Sequence, residues 1–265
     1  MRWVRLDGRP VRPAAARITT DDPLVRAGDG LIETMRARRG RIVRRAAHLD
    51  RMEASAAALD LPVPPRARWE RELDALLAAA GDGDLRVRLC VSAAPTLWVE
   101  AVPVDPLPVP PVPLRAVALE GTWLPDDRLA EHKTASRARW EHALRRARAA
   151  GADTALMLDM HGRLGESPVA SVLVHVDGAW ATAPVRGLLP GVGRAAVMEL
   201  VPVRERLLER DAWSAARELA LVSALGGVRP VVGVDGRPVG TGAPGPAAAA
   251  LAGAYRDLVD RETSR

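Results

Sequence analysis

The sequence predicts an α+β protein in two domains, and three observations carry that reading. Strand-like and helix-like stretches mix along the chain without a sustained β-α-β alternation. The 265 residues suffice for one large domain or two small ones. Between them runs Pro103-Val104-Asp105-Pro106-Leu107-Pro108-Val109-Pro110-Pro111-Val112-Pro113, which can form neither helix nor central strand and reads as a stiff extended connector. The boundary is placed there, giving an N-terminal domain over 1–108 and a C-terminal domain over 109–265, with the proline-rich linker at about 103–113.

Each element has a local reason. Trp3 to Arg12 reads as a hairpin turning at Asp7-Gly8, and Leu31 to Val43 as a second turning near Gly40. Ala46 to Leu59 is predicted helical, because Leu49, Met52, Ala56 and Leu59 fall on one face. A further helix starts near Pro65 with Trp69, Leu73 and Leu76 inward, and strands follow at Leu85–Ser92 and Leu97–Val102. After the linker come a strand at Leu114–Leu119, a helix from Ser136 to Ala150, and strands at Asp153–Asp159 and Ser171–Val176 joined by a turn at His161-Gly162. Helices are expected at Gly191–Leu200, at Ala212–Leu219 and from Pro246, with a strand near Arg229–Val234 and turns at Asp177-Gly178 and Asp235-Gly236.

Composition excludes several classes. No apolar run approaches the roughly 20 residues of a membrane span, so no membrane partner is expected. No apolar segment precedes a small-residue cleavage site near Met1, which reads as a cytoplasmic protein. The single cysteine, Cys90, cannot close an internal disulfide, in keeping with a reducing compartment. It lies in an alternating strand pattern, which favours a packed core thiol over a nucleophile. The net charge of +5 raises nucleic-acid binding. The densest basic run, Arg36 to Arg45, alternates with apolar residues and reads as a solvated hairpin face, and no aromatic platform accompanies it, so no nucleic-acid partner is expected. There is no zinc-type Cys/His spacing, no Gly-x-Gly-x-x-Gly after a strand and no phosphate loop ending in Gly-Lys-Ser/Thr; no metal site is assigned.

One residue stands out chemically. Of the 38 basic residues, all are arginine except Lys133, and Phe, Asn and Gln are absent. This is the mark of GC-rich codon pressure, under which a lysine that is only a positive charge drifts to arginine. A retained lysine points to chemistry a guanidinium cannot do: losing its proton, attacking a carbonyl, acting as a base. The competing reading is a leftover surface lysine. Downstream, Gly187-Leu188-Leu189-Pro190-Gly191-Val192-Gly193-Arg194 is a glycine-rich turn opening into a helix, whose N–H groups suit a phosphate; an ordinary helix start is the alternative. Lysine and anion site together suggest a phosphorylated aldehyde cofactor, pyridoxal 5′-phosphate (PLP).

Five segments in order then resemble the fold-type IV PLP enzymes, which include branched-chain and D-amino-acid aminotransferases and aminodeoxychorismate lyase. They are Gly28-Asp29-Gly30-Leu31-Ile32-Glu33-Thr34, His48-Leu49-Asp50-Arg51-Met52, His132-Lys133-Thr134-Ala135-Ser136-Arg137, Asp159-Met160-His161-Gly162-Arg163-Leu164-Gly165-Glu166-Ser167 and Leu189-Pro190-Gly191-Val192-Gly193-Arg194. A sixth, Val222 to Val231, fits more loosely. The resemblance implies a small N-terminal α/β domain, a larger barrel-like C-terminal α/β domain, PLP as cofactor, a small-molecule amine substrate and a homodimer. It implies that Lys133 is the catalytic lysine, holding the cofactor and moving the proton at the reacting carbon. By the same resemblance, Glu166 is expected beside the ring nitrogen, keeping it protonated. It also implies that Arg51, the backbone N–H groups of Val192 and Gly193, and the Ser223 hydroxyl bind the phosphate. Read alone, Glu166 is a solvated turn carboxylate and Arg51 a helix-surface cation. The chain also departs from the family: Gly193 stands where Thr is common, Val169-Ala170 where Ser-Asn is common, and Gly226 where some relatives carry arginine.

The turn Ser92-Ala93-Ala94-Pro95-Thr96 is short and uncharged, against a D-amino-acid aminotransferase. His132-Lys133-Thr134 with Arg137 and Trp140 resembles the lysine segment of bacterial aminodeoxychorismate lyases. The sequence therefore favours a PLP-dependent aminodeoxychorismate lyase, making 4-aminobenzoate and pyruvate. An aminotransferase of branched-chain or other apolar amino acids is the alternative, and a non-enzymatic basic binding protein a third reading.

Overall fold

The computed structural model describes residues 1–94 and 96–264; Pro95 of the Ser92–Thr96 turn lies outside the described residues. The chain divides into two compact units. The first takes Met1–Pro106, His132–Arg137 and Val259–Arg265, and the second Leu107–Glu131 and Ala138–Leu258.

The first unit contains β1 (Trp3–Leu6), β2 (Arg9–Val11), α1 (Pro23–Ala27), β3 (Gly30–Arg38), β4 (Arg41–Ile42), α2 (Arg45–Ala58), α3 (Arg66–Ala80), β5 (Leu85–Ser92) and β6 (Leu97–Pro103). The strands form one antiparallel sheet in the order β2-β1-β6-β5-β3-β4. Asp7 and Gly8 both take positive φ, which lets the first hairpin turn in two residues. Alternate residues of β3, Leu31, Glu33, Met35 and Ala37, face the same way and are almost fully buried. Leu31, Met35 and Ala37 join Leu49 and Met52 of α2 and Trp69, Leu73 and Leu76 of α3 in one apolar core. Cys90 is packed in the sheet, and burial pushes its thiol up to about 12, so it is no nucleophile.

The basic run differs from the solvated face expected of it. Arg36 is buried against Asp84 at 2.5 Å, Arg38 pairs with Asp84 and Asp260, Arg44 with Glu262 and Arg45 with Asp74. Carboxylates distant in sequence neutralise these four, which local patterning cannot show, while Arg39 and Arg41 are exposed as expected.

The second unit contains β7 (Leu114–Leu119), α4 (Ala138–Ala149), β8 (Thr154–Leu158), β9 (Leu164–Ser167), β10 (Ala170–Val176), β11 (Ala179–Thr182), α5 (Val192–Leu200), β12 (Val203–Glu205), α6 (Arg210–Ser214), β13 (Glu218–Ser223), β14 (Gly227–Val234), β15 (Arg237–Pro238) and most of α7 (Pro246–Thr263). Its sheet runs β12-β11-β10-β13-β14-β7-β8-β9, and β9 pairs β10 as well as β8. That last pairing closes β10-β13-β14-β7-β8-β9 into a barrel, which satisfies both edges of every strand in the ring.

Two element expectations change. Ala212–Leu219 is not one helix: α6 ends at Ser214 and Leu219 lies inside β13, flanked by β10 and β14. Pairing on both sides overrides helical propensity there. The stretch after His161-Gly162 is not merely a turn but the short strand β9, with Gly165 in its middle obscuring any alternation. Among the described residues no helix is long and apolar enough to cross a membrane.

Candidate active site

In the first unit, Lys133 sits at the open edge of β3. Ile32 N–H donates to the Lys133 carbonyl at 2.9 Å and Ala135 N–H to the Gly30 carbonyl at 2.9 Å. Thr134 makes an antiparallel bridge with Leu31. The backbone on both sides of the lysine is thus tied to a strand that β5 already holds from its other edge. Lys133 itself is half-buried. Its neighbour His132 places Nδ1 3.1 Å from the Ser55 hydroxyl on α2.

The same β3 presents Glu33 to α2. Arg51 grips it with both arms of its fork, Nε on Oε1 at 2.8 Å and Nη2 on Oε2 at 2.7 Å, while His48 Nδ1 lies 2.7 Å from Oε2. The side chains are 1% exposed for Glu33 and 10% for Arg51. His48, Arg51 and Ser55 recur at helical spacing, forming a polar stripe beside the apolar one. Burial alone would raise the Glu33 carboxyl; the Arg51 charge and the His48 contact overcome it and hold the group at about 2. Arg51 is therefore no helix-surface cation. The network went unread in the sequence, although a carboxylate on the core-facing parity of a strand signals a buried cationic partner.

In the second unit, Glu166 is 9% exposed and pairs across the sheet with Met157 on one side and Ser171 on the other. It is a barrel residue rather than a solvated turn carboxylate. Trp140 Nε1 donates to its Oε1 at 2.7 Å. Beside it opens a shallow cleft lined by Ser171, Thr182, Val185, Leu188, Leu189 and Arg194, among others. α5 begins without a side-chain cap and without an acidic residue in its first turn, so the orphan N–H groups of Val192 and Gly193 point out of a bare helix start. Gly193 lies against the β13–β14 turn: a Cβ there would come 2.9 Å from the Ser223 backbone carbon. Ser223 Oγ accepts from Gly226 N–H at 3.0 Å in that turn.

The six expected residues thus divide between the units, Lys133 and Arg51 in the first, Glu166, Val192, Gly193 and Ser223 in the second. Val192, Gly193 and Ser223 come together around one helix start. Among the described residues no His/Cys/Asp/Glu group could hold a metal ion.

A lone lysine pinned to a strand edge in the first unit, and a buried carboxylate and an uncapped helix start in the second, are the parts that a phosphorylated carbonyl cofactor calls for. The sequence pattern of the amino-transferase class IV family matches residues 30–234. The chain belongs to the class IV aminotransferase family of PLP-dependent enzymes. It superposes on a hypothetical aminotransferase from Mycobacterium tuberculosis, in a PLP-bound form, with a TM-score of 0.85 and 27% identity over 98% of each chain. It is 27% identical to branched-chain-amino-acid aminotransferase-like protein 2 of Arabidopsis thaliana over 92% of this chain and 48% of that protein, so it spans about half that relative's length. It is 31% identical to the bifunctional aminodeoxychorismate lyase / D-amino acid transaminase of Mycobacterium tuberculosis over 66% of each.

The residues present fit PLP. The bare start of α5, which Gly193 lets pack closely against the turn carrying Ser223, suits a phosphate. The buried Glu166 suits a protonated ring nitrogen.

Proposed function

We propose that the chain is a PLP-dependent aminotransferase of branched-chain or other apolar amino acids. The observation that carries this choice is the match along 92% of this chain to branched-chain-amino-acid aminotransferase-like protein 2, and along 89% to a putative branched-chain-amino-acid aminotransferase of Methanocaldococcus jannaschii. It displaces the lyase from first place. The Ser92–Thr96 turn agrees: the Ser92 and Thr96 hydroxyls are spent on buried Asp22, at 2.5 and 2.6 Å, and no cation stands among its described residues to hold a D-amino acid's carboxylate. Val185, Leu188 and Leu189 give the cleft beside Glu166 an apolar side next to its polar lining of Ser171, Thr182 and Arg194.

PLP supplies an electrophilic aldehyde and a ring that accepts the electron pair of a deprotonated amine-bearing carbon. Lys133 would hold the cofactor and, as a base beside the amine-bearing carbon, would take and return the proton there. Its anchored backbone confines the motion to the flexible stem. Glu166 would keep the ring nitrogen charged. The N–H groups of Val192 and Gly193, the Ser223 hydroxyl and Arg51 would hold the phosphate, with Glu33 fixing the Arg51 fork.

A second reading, aminodeoxychorismate lyase, is supported by His132-Lys133-Thr134 with Arg137 and by the bifunctional relative. One experiment separates them. Purified protein given PLP is expected to gain visible absorbance that Lys133→Ala lacks. L-leucine should then convert the cofactor to its amine form, and a 2-oxo acid should restore it. Pyruvate release from aminodeoxychorismate with no amino acceptor present would put the lyase first instead. No Lys133-dependent absorbance would sink both. The proposal includes a homodimer, checked by light scattering.

A further inference from the structure

Trp140 lies on the inner face of α4 with Ala143, Leu144 and Ala147, and all four are buried. An indole there needs only to fill space. Its N–H instead meets a carboxylate oxygen of Glu166 at 2.7 Å. The flanks of Glu166 are fixed too: Gly165 lies under the Trp123 ring, where a Cβ would come within 2.7 Å of the indole, and Ser167 Oγ shares a hydrogen bond with Thr154 Oγ1 at 2.8 Å. The neighbours lock the strand, and Trp140 locks the side chain.

We propose that Trp140 is a positioning residue for Glu166: its indole N–H holds one carboxylate oxygen, keeping the group ionised and oriented toward the cofactor's ring nitrogen. This rests on the reading of Glu166 given above. An indole is a donor that cannot accept. It stabilises the carboxylate over the acid and cannot take part in proton exchange with it. Phenylalanine would fill nearly the same space without the donor. If Trp140 only packed, Trp140→Phe would leave cofactor binding alone.

The test uses the full chain as wild type, Trp140→Phe, Glu166→Gln and the double variant. Equilibrium dialysis measures the affinity of PLP and of its carbocyclic analogue, in which the ring nitrogen is replaced by carbon. Trp140→Phe and Glu166→Gln should each weaken PLP by roughly tenfold, the worth of one hydrogen bond to a charged group. The double variant should bind no worse than Glu166→Gln, and the analogue should bind all four proteins equally. Unchanged PLP affinity in Trp140→Phe, equal losses for both ligands, or multiplying effects would each overturn the role. A wild type without Lys133-dependent absorbance would overturn the PLP reading itself, and the role with it. Should Trp140→Phe not fold, the Trp140 indole proton resonance decides: it should move upfield in Glu166→Gln, and a stationary resonance counts against the contact.

Discussion

At the scale of the residue, Glu33 is where burial and charge are in sharpest conflict. It is enclosed on β3, yet Arg51 and His48 hold it ionised, at about 2. Removing one partner of a buried pair typically costs about 3–5 kcal/mol, because the other charge is left without a counterpart. The sign for pH follows from the depressed value. The stabilisation is present above the ordinary value of 4.5 and is lost as pH falls towards 2. Urea unfolding between pH 5 and pH 2 should show the wild type losing about 3 kcal/mol more than Glu33→Gln across that window. Parallel loss in both proteins would mean that other carboxylates carry the acid sensitivity. Lys133 was legible because composition isolates it. Arg51 was not, because its partner lies 18 residues upstream on another element. Position 51 lies off the apolar stripe and looks solvated unless Glu33 is known to face it.

At the scale of the element, the start of α5 depends on a missing side chain. Gly193→Ala would place a methyl 2.9 Å from the Ser223 backbone carbon and 3.1 Å from the Ala224 nitrogen. Backbone cannot rotate away as a side chain can, so helix and turn must part. We expect a loss of about 1–3 kcal/mol in stability, as for other overpacked sites. PLP affinity should fall while that of pyridoxal, which lacks the phosphate, holds; equal falls for both would remove α5 from the phosphate site. The glycine-rich turn before α5 is visible in the sequence, but what Gly193 touches is not. Strand β9 was hidden for a related reason. Its four residues are too short to show a period, and its place comes from β8 and β10 pairing on either side.

At the scale of the whole molecule, the closed ring β10-β13-β14-β7-β8-β9 was anticipated only through the family resemblance, since barrel closure depends on which strands meet, not on any one strand's pattern. Hydrogen exchange should rank the consequences. Amides of β13, bonded on both sides by β10 and β14, should exchange slowest, and those of β12 and β15, at the margins, fastest. Equal protection in β12 and β13 would contradict this strand order. The first unit is put together differently. Its sheet comes from the first stretch of the chain, its lysine from Lys133, and its finishing piece, Val259–Arg265, brings Asp260 to Arg38 and Glu262 to Arg44. A ribosome therefore delivers the sheet early, the reactive amine midway and the counter-charges of the β3–β4 hairpin last. Until that piece emerges, Arg38 and Arg44 of the nascent sheet lack the carboxylates of Asp260 and Glu262, and a fragment ending at Pro106 would fold without them.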